Sequence, residues 1–512
     1  MDYFSILFFK QFFKMTKKFS MLSLFFVAFG FSQDAIDGLN YSLDDFGGTA
    51  RFKAMSGAFG ALGGDLSAIN VNPAGSAVFI NNQFGVTLST YTNRNNNKYF
   101  GESRSTTETF SDLNQAGAVF VFKNPDAVMK KFSIALNFEN NPTFRNNHLT
   151  QGVNPNQSLA SYFLNFANGG RLSTYTQPSA SNITRFDDLQ GWLGYGGFMI
   201  NPVNANDPNN TAYVSNVVEN NLNHSNVISN SGQNGKFTFN FASQIKDRLF
   251  IGANINLHYS EQNRLQTFRE SHDNLTNPNQ NLRSTVFNYD LFSQSNGFSL
   301  QIGSIYKVTP DLRAGLSYES PTWMNVQEIL NQSISSRYVD HTNGNSLESS
   351  SRNTGDVILP EYSIQTPGRI GASLAYLFSD KGILSFDYGY KDFSQMRFSG
   401  SNTDYTVLNN SIKNIFTVSH DVRVGGEYKY KKLSVRGGYR WQSSPYENTA
   451  IMGDLTSYSG GLGYNFGNTK VDFAVATMSR TSQNKFFQAD SINAYSLSNR
   501  LNTYALTVLF EL

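Results

Sequence analysis

Leu249-Phe250-Ile251-Gly252-Ala253-Asn254-Ile255-Asn256-Leu257-His258-Tyr259-Ser260 carries apolar or aromatic residues at 249, 251, 253, 255, 257 and 259, while Asn254, Asn256, His258 and Ser260 fall between them. Successive side chains of a strand point to opposite faces, so this stretch predicts a strand with one apolar and one polar face. Phe132, Ile134, Leu136 and Phe138 repeat the pattern against Ser133, Ala135, Asn137 and Glu139. So do Val422, Val424, Tyr428 and Tyr430 against Asp421, Arg423, Glu427 and Lys429, and Leu433, Val435, Tyr439 and Trp441 against Ser434, Arg436, Arg440 and Gln442. A soluble sandwich shows the same alternation, so the pattern alone does not say what the apolar face meets.

The connections do. Tight turns fall near 124–131, 244–248, 308–311, 379–382, 430–432 and 467–470. Longer polar stretches lie between them, at 93–112, 140–234, 262–296, 320–365, 394–419, 443–453 and 479–500. Long and short alternate throughout, as an up-and-down barrel with short periplasmic turns and long external loops requires; Greek-key connections have no such order. The segments number about 14, an even count that leaves both termini in the periplasm. The last strand places Tyr504, Leu506, Val508, Phe510 and Leu512 on one face. By resemblance to other outer-membrane proteins, such a terminal strand is also the signal to the barrel-assembly machinery. The expected architecture is all-β: an antiparallel transmembrane β-barrel in the outer membrane of a Gram-negative cell.

Composition agrees. Aromatic residues are 14% of the 512 and charged residues 15%, the latter well below the usual level of about 25%. Formal net charge is +2, which gives no reason to expect nucleic acid or an acidic substrate. Cysteine is absent, which excludes disulfides and thiolate metal sites. Lys17 and Lys18 precede an apolar run at 21–31, with Gly30 and Ser32 at the positions a signal peptidase reads, so cleavage is predicted before Gln33. The run is much shorter than the roughly 20 residues a membrane helix needs. Met15 is the more natural start, because residues 3–14 put a second apolar stretch ahead of the charges.

The segment between leader and first strand reads differently. Ala50, Ala54, Met55, Ala58, Phe59 and Leu62 recur at helical spacing, with Gly63 and Gly64 as the stop. A barrel of about 14 strands is too wide for its own side chains to fill, so residues 33–81 are expected to fold inside it as a plug; the alternative is a helix outside. Residues 82–512 then form the barrel. Within the long stretch 140–234, Leu159, Tyr162, Phe163 and Phe166 suggest one apolar helix face, and Trp192, Leu193, Tyr195, Phe198 and Met199 a second patch. These either capture an apolar ligand from outside or pack together over the barrel mouth. Arg423, Glu427, Arg436, Arg440 and Asp387 point inward by periodicity. They either line a polar channel or anchor the plug through Arg51, Lys53 and Asp65, the preferred reading.

Three N-terminal stretches now bear a resemblance. Ala50-Arg51-Phe52-Lys53-Ala54-Met55-Ser56-Gly57-Ala58-Phe59-Gly60-Ala61-Leu62, Asp65-Leu66-Ser67-Ala68 and Asn72-Pro73-Ala74-Gly75 are similar to the hatch of the FadL/TodX outer-membrane transporters of long-chain fatty acids and other hydrophobic compounds. Leu312-Arg313-Ala314-Gly315-Leu316-Ser317-Tyr318-Glu319-Ser320-Pro321, Val424-Gly425-Gly426-Glu427-Tyr428, Arg436-Gly437-Gly438-Tyr439 and Ser444-Pro445-Tyr446 extend the similarity across the mature chain. The resemblance implies a 14-stranded barrel plugged by its N-terminal hatch, working as a monomer among outer-membrane lipid and lipopolysaccharide. It implies capture of a hydrophobic ligand on external loops, here Phe163, Phe166, Trp192 and Phe198. Release follows hatch movement around Phe59, Asp65 and Asn72–Gly75, or sideways through a kinked third strand near 139–142. The long, Asn-rich 140–234 departs from the family and leaves the substrate least transferable. No energy-coupling motif is present, so uptake is expected to be passive.

Other functions fit less well. Haem uptake needs a placed ligand; His148, His224, His258, His272, His341 and His420 are scattered, although tyrosine ligation stays open. No Gly-x-Ser-x-Gly, His-Glu-x-x-His or glycine-rich phosphate loop occurs, and no enzyme, cofactor or metal is expected. A general porin remains the third alternative.

Overall fold

The computed structural model describes residues 35–43, 47–141, 144–217, 221–272, 282–340, 346–401, 403–487 and 492–512. The leader, the cleavage site before Gln33, Met15 and His341 lie outside them. The rest is a closed antiparallel barrel of 14 staves. These are β1 (Gln83–Tyr99), β2 (Glu102–Lys123), β3 (Met129–Asn141, resumed at His148–Asn154), β4 (Leu222–Ile245), β5 (Leu249–Ser271), β6 (Leu282–Lys307) and β7 (Leu312–Glu319 and Trp323–Asp340). After them come β8 (Ser346–Ile358, Tyr362–Gln365 and Arg369–Phe378), β9 (Gly382–Asp392), β10 (Val418–Tyr430), β11 (Leu433–Gln442), β12 (Leu455–Asn465), β13 (Thr469–Asn484) and β14 (Tyr495–Glu511). The seam closes where β14 runs along β1, from Glu511 opposite Gln83 to Ser496 opposite Lys98. Closure leaves no sheet edge, the condition for strands to cross a bilayer with their backbone satisfied.

Burial follows the predicted faces. On β5, Asn254 and Asn256 are buried against the lumen while Ile251, Ile255 and Leu257 are exposed on the outer surface; on β3, Ser133, Ala135 and Asn137 are buried and Leu136 is exposed. Polar inside and apolar outside is the reverse of a soluble sandwich, and it fits an outer surface solvated by lipid.

The six short turns lie where expected. The long stretches do not behave as loops. β1 and β2 run on to a turn at Phe100 and Gly101, both at positive φ (44° and 87°), and β5 and β6 stay paired up to Ser271 and Ser284. Beyond the bilayer both faces of a strand meet water or protein, so the alternation fades while the hydrogen-bond ladder continues. Among the described residues four staves are interrupted: β3 after Asn141, β7 at Ser320–Pro321–Thr322, β8 around Pro360 and Pro367, and β9 at Phe393–Gln395 before Arg397–Ser399 pairs with β8. Proline has no N–H for a ladder. The kink expected near 139–142 falls at the end of the first β3 segment, with Pro142 outside the described residues.

Residues 47–81 lie inside the lumen. The helix expected over 50–62 is corrected: α2 covers only Ala50–Ala54, and Ser56 (φ 51°) and Gly57 (φ 73°) turn the chain away. The apolar residues of that spacing are all buried, but in a coiled path that bends to follow the wall. Ahead of it, α1 (Ala35–Ser42) packs on Met396, Phe398 and Tyr405 of the long β9–β10 connection. The first described residues therefore sit at the long-connection end of the barrel, not the short-turn end, because the apolar Ala35–Leu39 face finds its cover there.

Candidate functional site: a chamber between two stoppers

The hatch is the lower stopper. Its backbone is fixed to stave after stave by single polar contacts. Ala50 N donates to Thr507 on β14 (2.7 Å), Ser56 N to Ser459 on β12 (3.1 Å), and Phe59 N and Gly60 N to the Asp387 carboxylate on β9 (3.0 and 2.8 Å). Asn254 on β5 donates to Ile69 O (2.9 Å), and Lys53 Nζ donates to Ser89 and Tyr91 on β1 (3.0 and 3.3 Å). The wall gives it room with glycines: a methyl at Gly425 would stand 2.5 Å from Met55 O, and one at Gly438 2.5 Å from Met55 C.

The Asn72–Gly75 turn is built as a cap. Asn72 accepts from Ala74 N (3.1 Å) and opens the 3-10 turn Pro73–Val78. Its amide donates to Gly60 O (2.7 Å) within the hatch and to Ser304 O on β6 (3.0 Å), so one side chain ties two hatch segments to the wall. Pro73 O accepts from Asn240 (2.9 Å), and Gly75 O from Gly64 N (3.0 Å). Asp65 serves the hatch itself, accepting from Thr49 Oγ1 (2.8 Å) and Ser67 N (2.9 Å). Phe59 is fully buried beneath the Arg51 guanidinium (5.2 Å).

The inward charges form two groups. Glu427 accepts from Arg51 of the hatch (2.8 Å) and from Arg436 (2.7 Å), which also reaches Asp472 (2.5 Å). Glu427 thus joins Arg51 of the hatch to Arg436 of the wall. Arg423 (2.6 Å), Arg440 (2.8 Å) and Arg369 (3.3 Å) converge instead on Asp421. These pairs join β8, β10 and β11 of the wall, and Arg423 also lies beside Gly57 of the hatch. Asp421 was visible on the inward face; its convergence with Arg369 from another stave was not.

The upper stopper is a cap made from α3 (Leu159–Ala167) and α4 (Phe186–Gly196) seated among the strand extensions. Phe163 and Trp192 are fully buried there; Phe166 packs on Tyr162 (5.0 Å) and Phe198 stacks on Tyr338 (4.0 Å). The expectation of an exposed capture patch is corrected, and the alternative, mutual packing over the mouth, holds. Large aromatic faces gain more from each other than from water. One polar device was not legible. Buried Glu270 on β5 accepts from Ser158 Oγ (2.6 Å), Leu159 N (2.7 Å) and His224 Nε2 (2.9 Å), holding the start of α3.

Between the stoppers lies a chamber of about 140 Å³, below the roughly 300–1,000 Å³ of drug-sized ligand sites. Tyr41, Leu43, Phe52, Val71 and Met324 supply apolar surface; Lys236, His258, Arg369, Lys391 and Arg423 bring basic groups, and Glu139 and Glu319 carboxylates. It abuts the β3 break through Glu139, Asn141 and Asn234. The β2–β3 ladder ends at Gln115 opposite Glu139, and β3 resumes at His148 paired only with β4. Side chains bridge the gap: Asn114 donates to Asn140 O (2.5 Å) and Asn140 to Asp112 (2.5 Å). The hatch touches the same place, with Gly48 N donating to Asn114 Oδ1 (3.0 Å).

Residues 230–510 match the model of a family described as outer membrane protein transport protein (OMPP1/FadL/TodX). The chain belongs to that family. It is a transport family and not an enzyme family. In fold, this FadL/TodX family member resembles the Pseudomonas putida toluene transporter TodX, at 12% identity and a TM-score of 0.53, and a Pseudomonas aeruginosa FadL homologue, at 13% identity and 0.51. Both alignments cover 92% of this chain and 99% of the other. No curated protein matches it. Among the described residues no His/Asp/Glu cluster of metal-binding geometry occurs.

Proposed function

We propose that this outer-membrane barrel takes up long-chain fatty acids, or similar hydrophobic molecules bearing an acidic head, passively from outside the cell. The observation that carries this reading is the chamber: a small cavity with apolar surface on hatch and wall, basic side chains beside it, and an interrupted wall at one end. A carboxylate head finds Lys236 and its neighbours, while the acyl chain lies on Phe52, Val71 and Met324. Desolvating such a chain in stages is favourable at about 25 cal/mol per Å² of apolar surface covered. The long-connection end faces outward, so ligand passes the cap first. It leaves sideways at the β3 break when the hatch contacts at Gly48 and Asn114 loosen, reaching the membrane without crossing a water-filled pore.

A filled lumen argues against the general porin. Uptake of labelled oleate by cells with and without the gene tests the proposal. Expression should raise uptake several-fold, and Lys236→Glu should reduce that gain. Equal uptake, with faster passage of small sugars, would overturn it.

A further inference from the structure

Beneath the hatch the barrel holds a second concavity, of about 360 Å³, open toward the short turns. One side is apolar, made by Val78, Phe79 and Ile80 of the hatch's last segment with Leu509 of β14; the other carries Lys429, Lys431, Lys432 and Lys470. The carboxylates that also face it are engaged. Glu427 is held by Arg51 and Arg436, with Lys429 at 3.4 Å; Asp472 is held by Arg436, and Glu511 by Lys470 (3.0 Å). Asp65 lies within the hatch's own hydrogen bonds. Lys431 and Lys432 face no carboxylate within salt-bridge distance among the described residues; Lys431 packs only on the Tyr430 ring (5.5 Å).

The rest of the mouth is biased the same way. Lys131 donates to Phe79 O (2.7 Å), Lys307 lies over Phe250 (5.1 Å), and Arg313 donates to Leu62 O (3.0 Å). Lys131 and Arg313 are thus satisfied by carbonyls, whereas Lys307 also feels the carboxylate of Asp247, which pairs with Lys130 (2.7 Å). The chain as a whole is nearly neutral, so this end concentrates positive charge over an apolar floor. Aligned charge in a low-dielectric mouth focuses the field on whatever approaches it.

We infer that this vestibule is an anion site on the far side of the hatch, taking the carboxylate head of a single-chain amphiphile on Lys431, Lys432 and Lys470 with its tail along Phe79, Ile80 and Leu509. The inference rests on the proposed uptake of acidic amphiphiles and adds a separate site below the hatch, entered from the short-turn side and not from the chamber. The apolar floor selects an amphiphile over a free anion, and the lysines select an acid over a hydrocarbon.

The test uses full-length protein purified in a non-ionic detergent and a palmitate analogue carrying a photoactivatable diazirine near its tail. Cross-links are mapped by mass spectrometry. Adducts are expected at 78–80 or 509 as well as in the upper chamber. The K431Q/K432Q/K470Q variant should lose the lower adducts at least five-fold while keeping the upper ones; K431R/K432R/K470R should retain both. Heat-modifiable gel mobility verifies that each barrel is folded. The methyl ester of the probe should fail to label the lower site, and excess inorganic phosphate should leave labelling intact. Upper adducts without lower ones, or lower adducts indifferent to the lysines, overturn the vestibule alone. Absence of upper adducts overturns the chamber reading instead.

Discussion

The two stoppers of this barrel close it by different physics. The hatch meets the wall through small residues and single hydrogen bonds, each worth only about 0.5–1.5 kcal/mol net, because water replaces what is lost. The cap is an aromatic core in miniature, in which Tyr162, Phe163, Trp192, Phe268 and Phe287 bury one another. Water offers those faces no substitute. A polar plug can therefore change partners stave by stave, whereas the cap moves as a folded unit or not at all. The β3 break, where hatch and wall share Asn114, couples the movable stopper to the side of the barrel.

Removing the hatch should have the largest effect. Deleting residues 41–75 is expected to convert a nearly silent barrel into one with a large, steady single-channel conductance in planar bilayers; an unchanged value would show that the cap alone seals the lumen. Trp192→Ala comes next. It takes away a buried ring, its Nε1 bond to Gln177 O (2.8 Å) and the Arg352 contact (4.8 Å), a loss of about 3–5 kcal/mol. Protease cleavage within 155–217 should accelerate sharply while conductance stays low, and a rise in conductance would make the cap the true seal.

Glu427→Ala leaves Arg51 in the lumen without its paired carboxylate, while Arg436 keeps Asp472, at a cost of about 3 kcal/mol. Its expected signature is flickering conductance with an intact cap by proteolysis. If flicker is absent, the many single contacts hold the hatch without its ion pair. The smallest change is Gly425→Ala, whose methyl would press on Met55 O. Overpacking of this kind costs about 1–3 kcal/mol, so the midpoint temperature for loss of the native gel form should fall by a few degrees without cap cleavage. No shift would mean that the hatch tolerates displacement from β10.

Much of this was legible in the chain. Strands such as 249–260 and 433–442 declare their faces because lipid on one side and hatch on the other impose opposite solvents on alternate residues. The hatch was legible as a segment rich in Gly and Ala, but not as a path. Ala50, Ala54, Met55, Ala58, Phe59 and Leu62 have helical spacing, yet the wall curves, and Ser56 and Gly57 turn the chain to follow it. The 93–112 stretch has no alternation to read, since both faces of that hairpin lie outside the lipid.

The cap residues expose the remaining limit. Phe163, Trp192 and Phe198 are apolar in either of the roles first considered, and composition does not distinguish a surface offered to a ligand from one covered by Phe268, Phe287 and Tyr338. Glu270 and His224 lie 46 residues apart, as do other partners that only strand register brings together. By itself the sequence determined the barrel and the presence of a plug, because the first follows from solvent along one strand and the second from a lumen too wide for its own side chains to fill. The tertiary structure decided what touches what: which arginines hold the hatch, that the aromatics form a lid, and where the wall is broken. Those depend on distances between staves, which no local periodicity encodes.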